Sequence, residues 1–137
     1  MGDLKVLTQS FIDEISSGTD IDAAIDQYLA EDFVEHEDVP GMDNTRDTPR
    51  VLFKMMHAAF PDFHIDVQDL IEDGDKVAAR FTMGGTHAGE FMGMPASGNV
   101  VTINVIDIFQ FRGDQCVAHW GLMDTPGMME QMGAGPE

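Results

Sequence analysis

The sequence predicts an α+β domain with helices packed on one face of an antiparallel sheet. Two observations carry this. Apolar residues in the first sixty positions recur at three- and four-residue spacing, and from Phe63 onward the period changes to two. The strand-like runs are joined by short Gly- and Asp-rich turns, which link antiparallel neighbours. At 137 residues, 43% of them hydrophobic, the chain has the size of one domain. Such a domain builds a core without disulfides or structural metal.

The elements follow in order. Over residues 3–17, Leu4, Leu7, Phe11 and Ile15 form one apolar stripe, and Gly18 stops it. A second helix from about Asp20 turns Ile21, Ala24, Ile25, Tyr28 and Leu29 inward, then gives way to Asp32-Phe33-Val34-Glu35-His36. Glu37 to Asp47, with Pro40, Gly41 and Asn44, reads as a loop. Thr48-Pro49 reads as the start of a third helix, a capping hydroxyl before proline at the first helical position. That helix presents Leu52, Met55, Met56, Ala59 and Phe60, and Pro61 ends it.

Strands begin at Phe63, where Phe63, Ile65 and Val67 alternate with polar residues. Glu72-Asp73-Gly74-Asp75 is a hairpin turn into Val77, Ala79, Phe81 and Met83. A glycine-rich stretch precedes Asn99–Phe111, which is apolar enough for a central strand. Arg112-Gly113-Asp114 turns it into a last strand, Gln115 to about Asp124. The tail from Pro126 to Met132 reads as a short helix.

Charge excludes several classes of partner. Seven Lys and Arg face 25 Asp and Glu, a net charge of −18, which repels nucleic acid and anionic membrane. Asp outnumbers Glu 17 to 8 and lysine occurs three times. Two explanations stand side by side, ordinary acidity and adaptation to high salt. The single Cys116 forms no intrachain bridge, as in a reducing compartment. No apolar run approaches the roughly 20 residues of a membrane span. The N-terminus lacks a signal-peptide pattern, and Val6 stands where a myristoylation motif wants Ser or Thr. The expectation is a soluble, cytoplasmic protein.

Candidate chemistry concentrates between Gly84 and Asp124. The glycines there do not make a phosphate loop, because no Gly-Lys-Ser/Thr follows and the stretch enters a strand. The histidines lack HExxH or similar ligand spacing, so no metal is expected. Asp107 is the most informative residue. By alternation it shares a face with Val101, Ile103, Val105, Phe109 and Phe111, where a carboxylate is costly unless hydrogen-bonded or lining a cavity. In a cavity, desolvation suits it to acid–base work; at a sheet margin it is structural. His119 shares a face with Val117 and Gly121, opposite Trp120, and would couple with Asp107 on the neighbouring strand. A lone histidine is otherwise a structural one. His36 and His87 are candidates to line the same pocket.

The order of elements, together with the H-x-G-x-F-x-G-M-P run from His87 to Pro95 and the H-W-x-x-x-D run from His119 to Asp124, resembles the SnoaL-like polyketide cyclase (ester cyclase) family. The resemblance covers nearly the whole chain, including Asp32-Phe33-Val34-Glu35-His36. It implies the nuclear transport factor 2-like fold: a curved, mostly antiparallel sheet packed against three helices around an apolar cone. It also implies intramolecular aldol ring closure without metal or cofactor, using an aspartate on the final strand. Two positions after His119, where those cyclases carry that aspartate, stands Gly121. Where they carry a pocket histidine on the preceding strand stands Asp107. The acid–base is then either relocated to Asp107 with His119 or absent.

The expected function is cofactor-independent acid–base chemistry on a small apolar, carbonyl-bearing molecule. Asp107 would be the base and His119 the proton donor or orienter. His36, His87 and Asp124 would contact the polar end of the substrate, and Phe109 and Trp120 would shape the apolar wall. The alternatives are a non-catalytic module that binds a hydrophobic ligand, and a dimerisation unit with a filled cone. A homodimer or higher homo-oligomer is expected, since this fold commonly pairs through its sheet face.

Overall fold

The computed structural model describes residues 3–37 and 41–133. Helices α1 (Asp3–Ser17) and α2 (Ile21–Tyr28) lead into strand β1 (Leu29–Glu35). Helix α3 (Asp47–Ala59) follows, then strands β2 (His64–Asp73), β3 (Lys76–Thr86), β4 (Val100–Arg112) and β5 (Gln115–Met123), and helix α4 (Thr125–Gln131). One five-stranded sheet has the order β1-β5-β4-β3-β2. Three pairs are antiparallel and β1 lies parallel to β5, so the sheet is mixed.

The parallel edge strand is the main departure from the pattern read along the chain. Leu29 does not continue α2; its backbone is extended (φ −103°, ψ 134°) and it opens β1. A strand this short, set between two helices, offers few alternating positions to distinguish it. Its pairing puts Glu35 opposite His119.

Helix α3 also starts differently from expectation. Asp47 is its first residue, Arg46 precedes it with no side-chain cap, and Thr48 and Pro49 lie inside the first turn. The hydroxyl that meets a free N–H there is Thr45 Oγ1, 3.2 Å from the Asp47 nitrogen. The α3 stripe is narrower than predicted. Met56 and Ala59 are buried, whereas Met55 is 41% exposed.

The core lies between the helices and the inner face of the sheet. Phe11, Ile12 and Ile15 of α1 and Ala24 and Ile25 of α2 meet Phe81, Met83, Val105 and Phe109 from the strands. Each large apolar side chain so buried contributes about 1.5–3 kcal/mol. Along β4 every second residue is buried, Val101 through Phe111, as period-two alternation requires. Gly84 permits the closest strand approach: a Cβ there would stand 1.8 Å from the Val101 carbonyl oxygen. Arg50 of α3 bonds Asp22 and Asp26 of α2 at 2.7 and 2.6 Å, fixing the two helices together.

The glycine-rich stretch contains a tight turn at residues 91–94. Phe91 and Met94 bridge around Met92 and Gly93, both at positive φ (51° and 82°), the geometry of a tight two-residue hairpin. Helix α4 is held to β4 by Gln131, whose side chain bonds both the N–H and the C=O of Thr102. No helix among the described residues is long and apolar enough to cross a membrane.

The outer face of the sheet carries exposed apolar residues in adjoining positions. Ile106 pairs with Leu122, and Ile108 with Trp120; Leu122 is 82% exposed and Ile106 57%.

Candidate active site

A cavity of about 60 Å³ opens between α1, α3 and the inner face of the sheet. Phe11, Ile15, Phe33, Phe53, Phe81 and Met123 are among its apolar walls. Its polar lining is Glu35, Glu37, Thr48, Asp107 and His119. An apolar pocket with a few convergent polar groups is the usual form of a small-molecule site.

Strand pairing assembles the polar end. β5 lies between β1 and β4, so His119 faces Glu35 on one side and Phe109 on the other, and Asp107 pairs with Gly121. The imidazole sits between two carboxylates. His119 Nδ1 is 2.5 Å from Glu35 Oε2, which also accepts the Glu37 N–H at 3.1 Å. His119 Nε2 is 3.0 Å from Asp107 Oδ2. That second contact is an ion pair, and the other oxygen, Asp107 Oδ1, is buried without a hydrogen-bond partner. The Phe109 ring packs beside the imidazole, centroids 4.9 Å apart.

Gly121 makes room for this cluster. A Cβ there would lie 2.4 Å from Asp107 Oδ1, 2.5 Å from Glu37 Oε1 and 2.9 Å from His119 Cε1. All three are far inside van der Waals contact. A side chain at 121 and this arrangement of Asp107, Glu37 and His119 therefore exclude each other.

Burial and mutual charge set the protonation. Burial pushes the Asp107 carboxyl up, and the neighbouring His119 offsets this only in part. Glu37 is raised too, first by burial and then by the Asp107 charge. Burial alone would lower His119, but the Asp107 and Glu35 carboxylates outweigh it and raise the imidazole to about 10. At neutral pH the imidazole of His119 is therefore held as imidazolium between the carboxyl groups. Cys116, buried behind it, has its thiol pushed up to about 12 by burial and is no nucleophile at neutral pH.

Three of these side chains also form a grouping that could hold a metal ion. Glu35, Glu37 and His119 each bring one ligand atom within 4.8 Å of the others. In this arrangement the Glu35 carboxylate is closed onto His119 Nδ1.

Asp107, His119 and Phe109 are brought together in the cavity wall; the other sequence candidates lie elsewhere. Trp120 follows His119 and so points to the opposite face, where His36 stacks flat on it at 4.6 Å and 4°. His87 is fully buried at the end of β3, outside the cavity lining. Its Nδ1 meets Ser97 Oγ at 2.9 Å and its ring packs on Phe60, which ties down the glycine-rich turn. Asp124 caps α4 by accepting the Gly127 N–H at 2.9 Å. These four were expected at the pocket. Alternation, loop closure and helix capping account for them instead.

Glu35 and Glu37 were not singled out from the sequence. The signal was present in Phe33-Val34-Glu35, where a carboxylate shares parity with an apolar residue. That parity has meaning only once β1 is known to be a strand.

The model of the SnoaL-like polyketide cyclase family matches residues 6–132. No curated protein matches the chain. Among solved structures, TsrD from Streptomyces laurentii is 27% identical with a TM-score of 0.83, covering 95% of this chain and 94% of that one. IdmH from Streptomyces antibioticus, described as a candidate polyketide cyclase, is 28% identical with a TM-score of 0.80, covering 94% and 97%. AclR from Streptomyces galilaeus, described as a candidate hydroxylase, matches in fold with a TM-score of 0.86 at 24% identity, covering 100% and 89%.

Proposed function

We propose, since the chain belongs to the SnoaL-like polyketide cyclase family, that it is a small-molecule enzyme moving a proton next to a carbonyl. The observation that carries this reading is the buried Asp107–His119 ion pair in the cavity wall, where Asp107 Oδ1 has no hydrogen-bond partner. A carbonyl oxygen received by the Nε2 proton would bring the adjacent C–H toward the Asp107 carboxylate. Asp107 would then take the proton as general base, and the imidazolium would stabilise the developing enolate. Glu35 fixes the orientation of His119 by holding Nδ1.

This assigns to Asp107 the task that the family resemblance gives to an aspartate at position 121. The geometry supports the exchange, because the glycine is what admits the Asp107 side chain. Three carboxylates against one histidine disfavour an anionic substrate. A neutral carbonyl compound with an apolar body suits this lining of apolar walls and one polar end. From the enolate, ring closure adds a second carbonyl of the same molecule as electrophile and isomerisation returns the proton to a different carbon; hydrolysis would instead have Asp107 take the proton of a water that attacks the carbonyl and expels the leaving group.

The test is deuterium exchange α to the carbonyl of 1-tetralone in D₂O, followed by NMR with and without protein. Wild type is expected to accelerate exchange, and Asp107→Asn to lose about 10²–10⁴ of that acceleration while still binding the ketone. Binding without accelerated exchange in the wild type would favour a carrier of hydrophobic ligands over an enzyme.

A further inference from the structure

Thr48 occupies a position where its hydroxyl has no structural task. It lies in the first turn of α3 and is 1% exposed. A threonine there would ordinarily cap the helix or bond a carbonyl one turn back. Thr45 Oγ1 has taken the capping contact, and Thr48 Oγ1 is buried with no hydrogen-bond partner. Valine has the same shape and would pack there without leaving a hydroxyl unsatisfied. Thr48 lines the same cavity as Asp107 and His119 but comes from the helical wall rather than the sheet. Leu52 and Phe53, one turn further along α3, line it too, and both are apolar.

We propose that Thr48 is a second anchoring point for the ligand. It receives a hydrogen-bonding oxygen on the apolar body, separate from the carbonyl that reaches Asp107 and His119. The ligand class is thus a neutral molecule with two oxygen functions held apart by apolar carbon. The hydroxyl of Thr48, which both donates and accepts, sets which way round it lies. This rests on the reading of the cavity as a carbonyl site given above.

The test compares 1-tetralone with its 5-, 6- and 7-hydroxy isomers by calorimetric titration. One hydroxy isomer is expected to bind wild type about fivefold more tightly than 1-tetralone, the effect of one neutral hydrogen bond. Thr48→Val should erase that preference, and Thr48→Ser, which keeps the hydroxyl, should retain it. Circular dichroism checks that both variants fold. A preference that survives in Thr48→Val overturns the proposal, as does the absence of any hydroxy isomer that outbinds the parent. If no tetralone binds at all, the carbonyl-site reading falls and this inference falls with it. If 1-tetralone binds and exchanges while the isomers show no preference, only the Thr48 anchor falls.

Discussion

Replacing Glu35 with glutamine probes the electrostatics of the site without needing its substrate. Glu35→Gln keeps the side-chain shape and an oxygen able to accept from Nδ1, but removes one of the two charges beside His119. An opposite charge at this range shifts a pKa by about 1–3 units. The imidazole should therefore titrate about 1–3 units below its wild-type value of about 10. A pH titration of the ring nitrogens by ¹⁵N–¹H NMR reads this directly. Stability follows with a definite sign. The folded-state pKa of His119 lies above its unfolded value near 6.5, so its contribution is complete below pH 6.5 and lost as pH rises toward 10. Raised Asp107 and Glu37 act in the same direction from lower pH, because the folded state binds more protons. Wild-type stability in urea should then fall between pH 6.5 and 10. In Glu35→Gln, the His119 part of that fall should shrink by about 1.4 kcal/mol per unit of lost shift. An imidazole titrating near 6.5 in the wild type, or at the same pH in both proteins, would refute the carboxylate–imidazole–carboxylate arrangement.

Gly121→Ala would force a methyl group to within 2.4–2.9 Å of Asp107, Glu37 and His119. It should cost about 1–3 kcal/mol in thermal denaturation and lower ketone exchange about 100-fold through misplacement of the pair. An alanine variant as stable and active as wild type would mean that the cluster is not packed this way. On the outer face, the Ile106–Leu122 and Ile108–Trp120 pairs form an exposed apolar patch of the kind that marks an interface. Light scattering should report a homodimer that Leu122→Glu shifts to monomer, whereas a wild-type monomer at 100 µM would contradict this.

Asp107 shows how far alternation alone can reach. Its place in a run of inward-facing residues was readable, and in the structure it lies on that inner face beside His119. The same arithmetic applied from His119 put Trp120 on the other face, which is incompatible with a role in the pocket wall. The motif residues His87 and Asp124 stood out by spacing. Spacing does not distinguish a residue that touches a ligand from one that closes a turn or caps a helix.

The helices, the antiparallel hairpins, the inward face of β4 and the family are legible along the chain. All of these follow from local periodicity, turn chemistry and motif, which act over a few residues at a time. Tertiary structure alone decided that a short parallel strand brings Glu35 to His119 across 84 positions. It also decided that Gly121 is the gap into which Asp107, Glu37 and His119 fit, and that Thr48 faces a cavity instead of capping a helix. Each of these depends on which strands become neighbours and how much space remains between them. No pattern along the chain encodes that space.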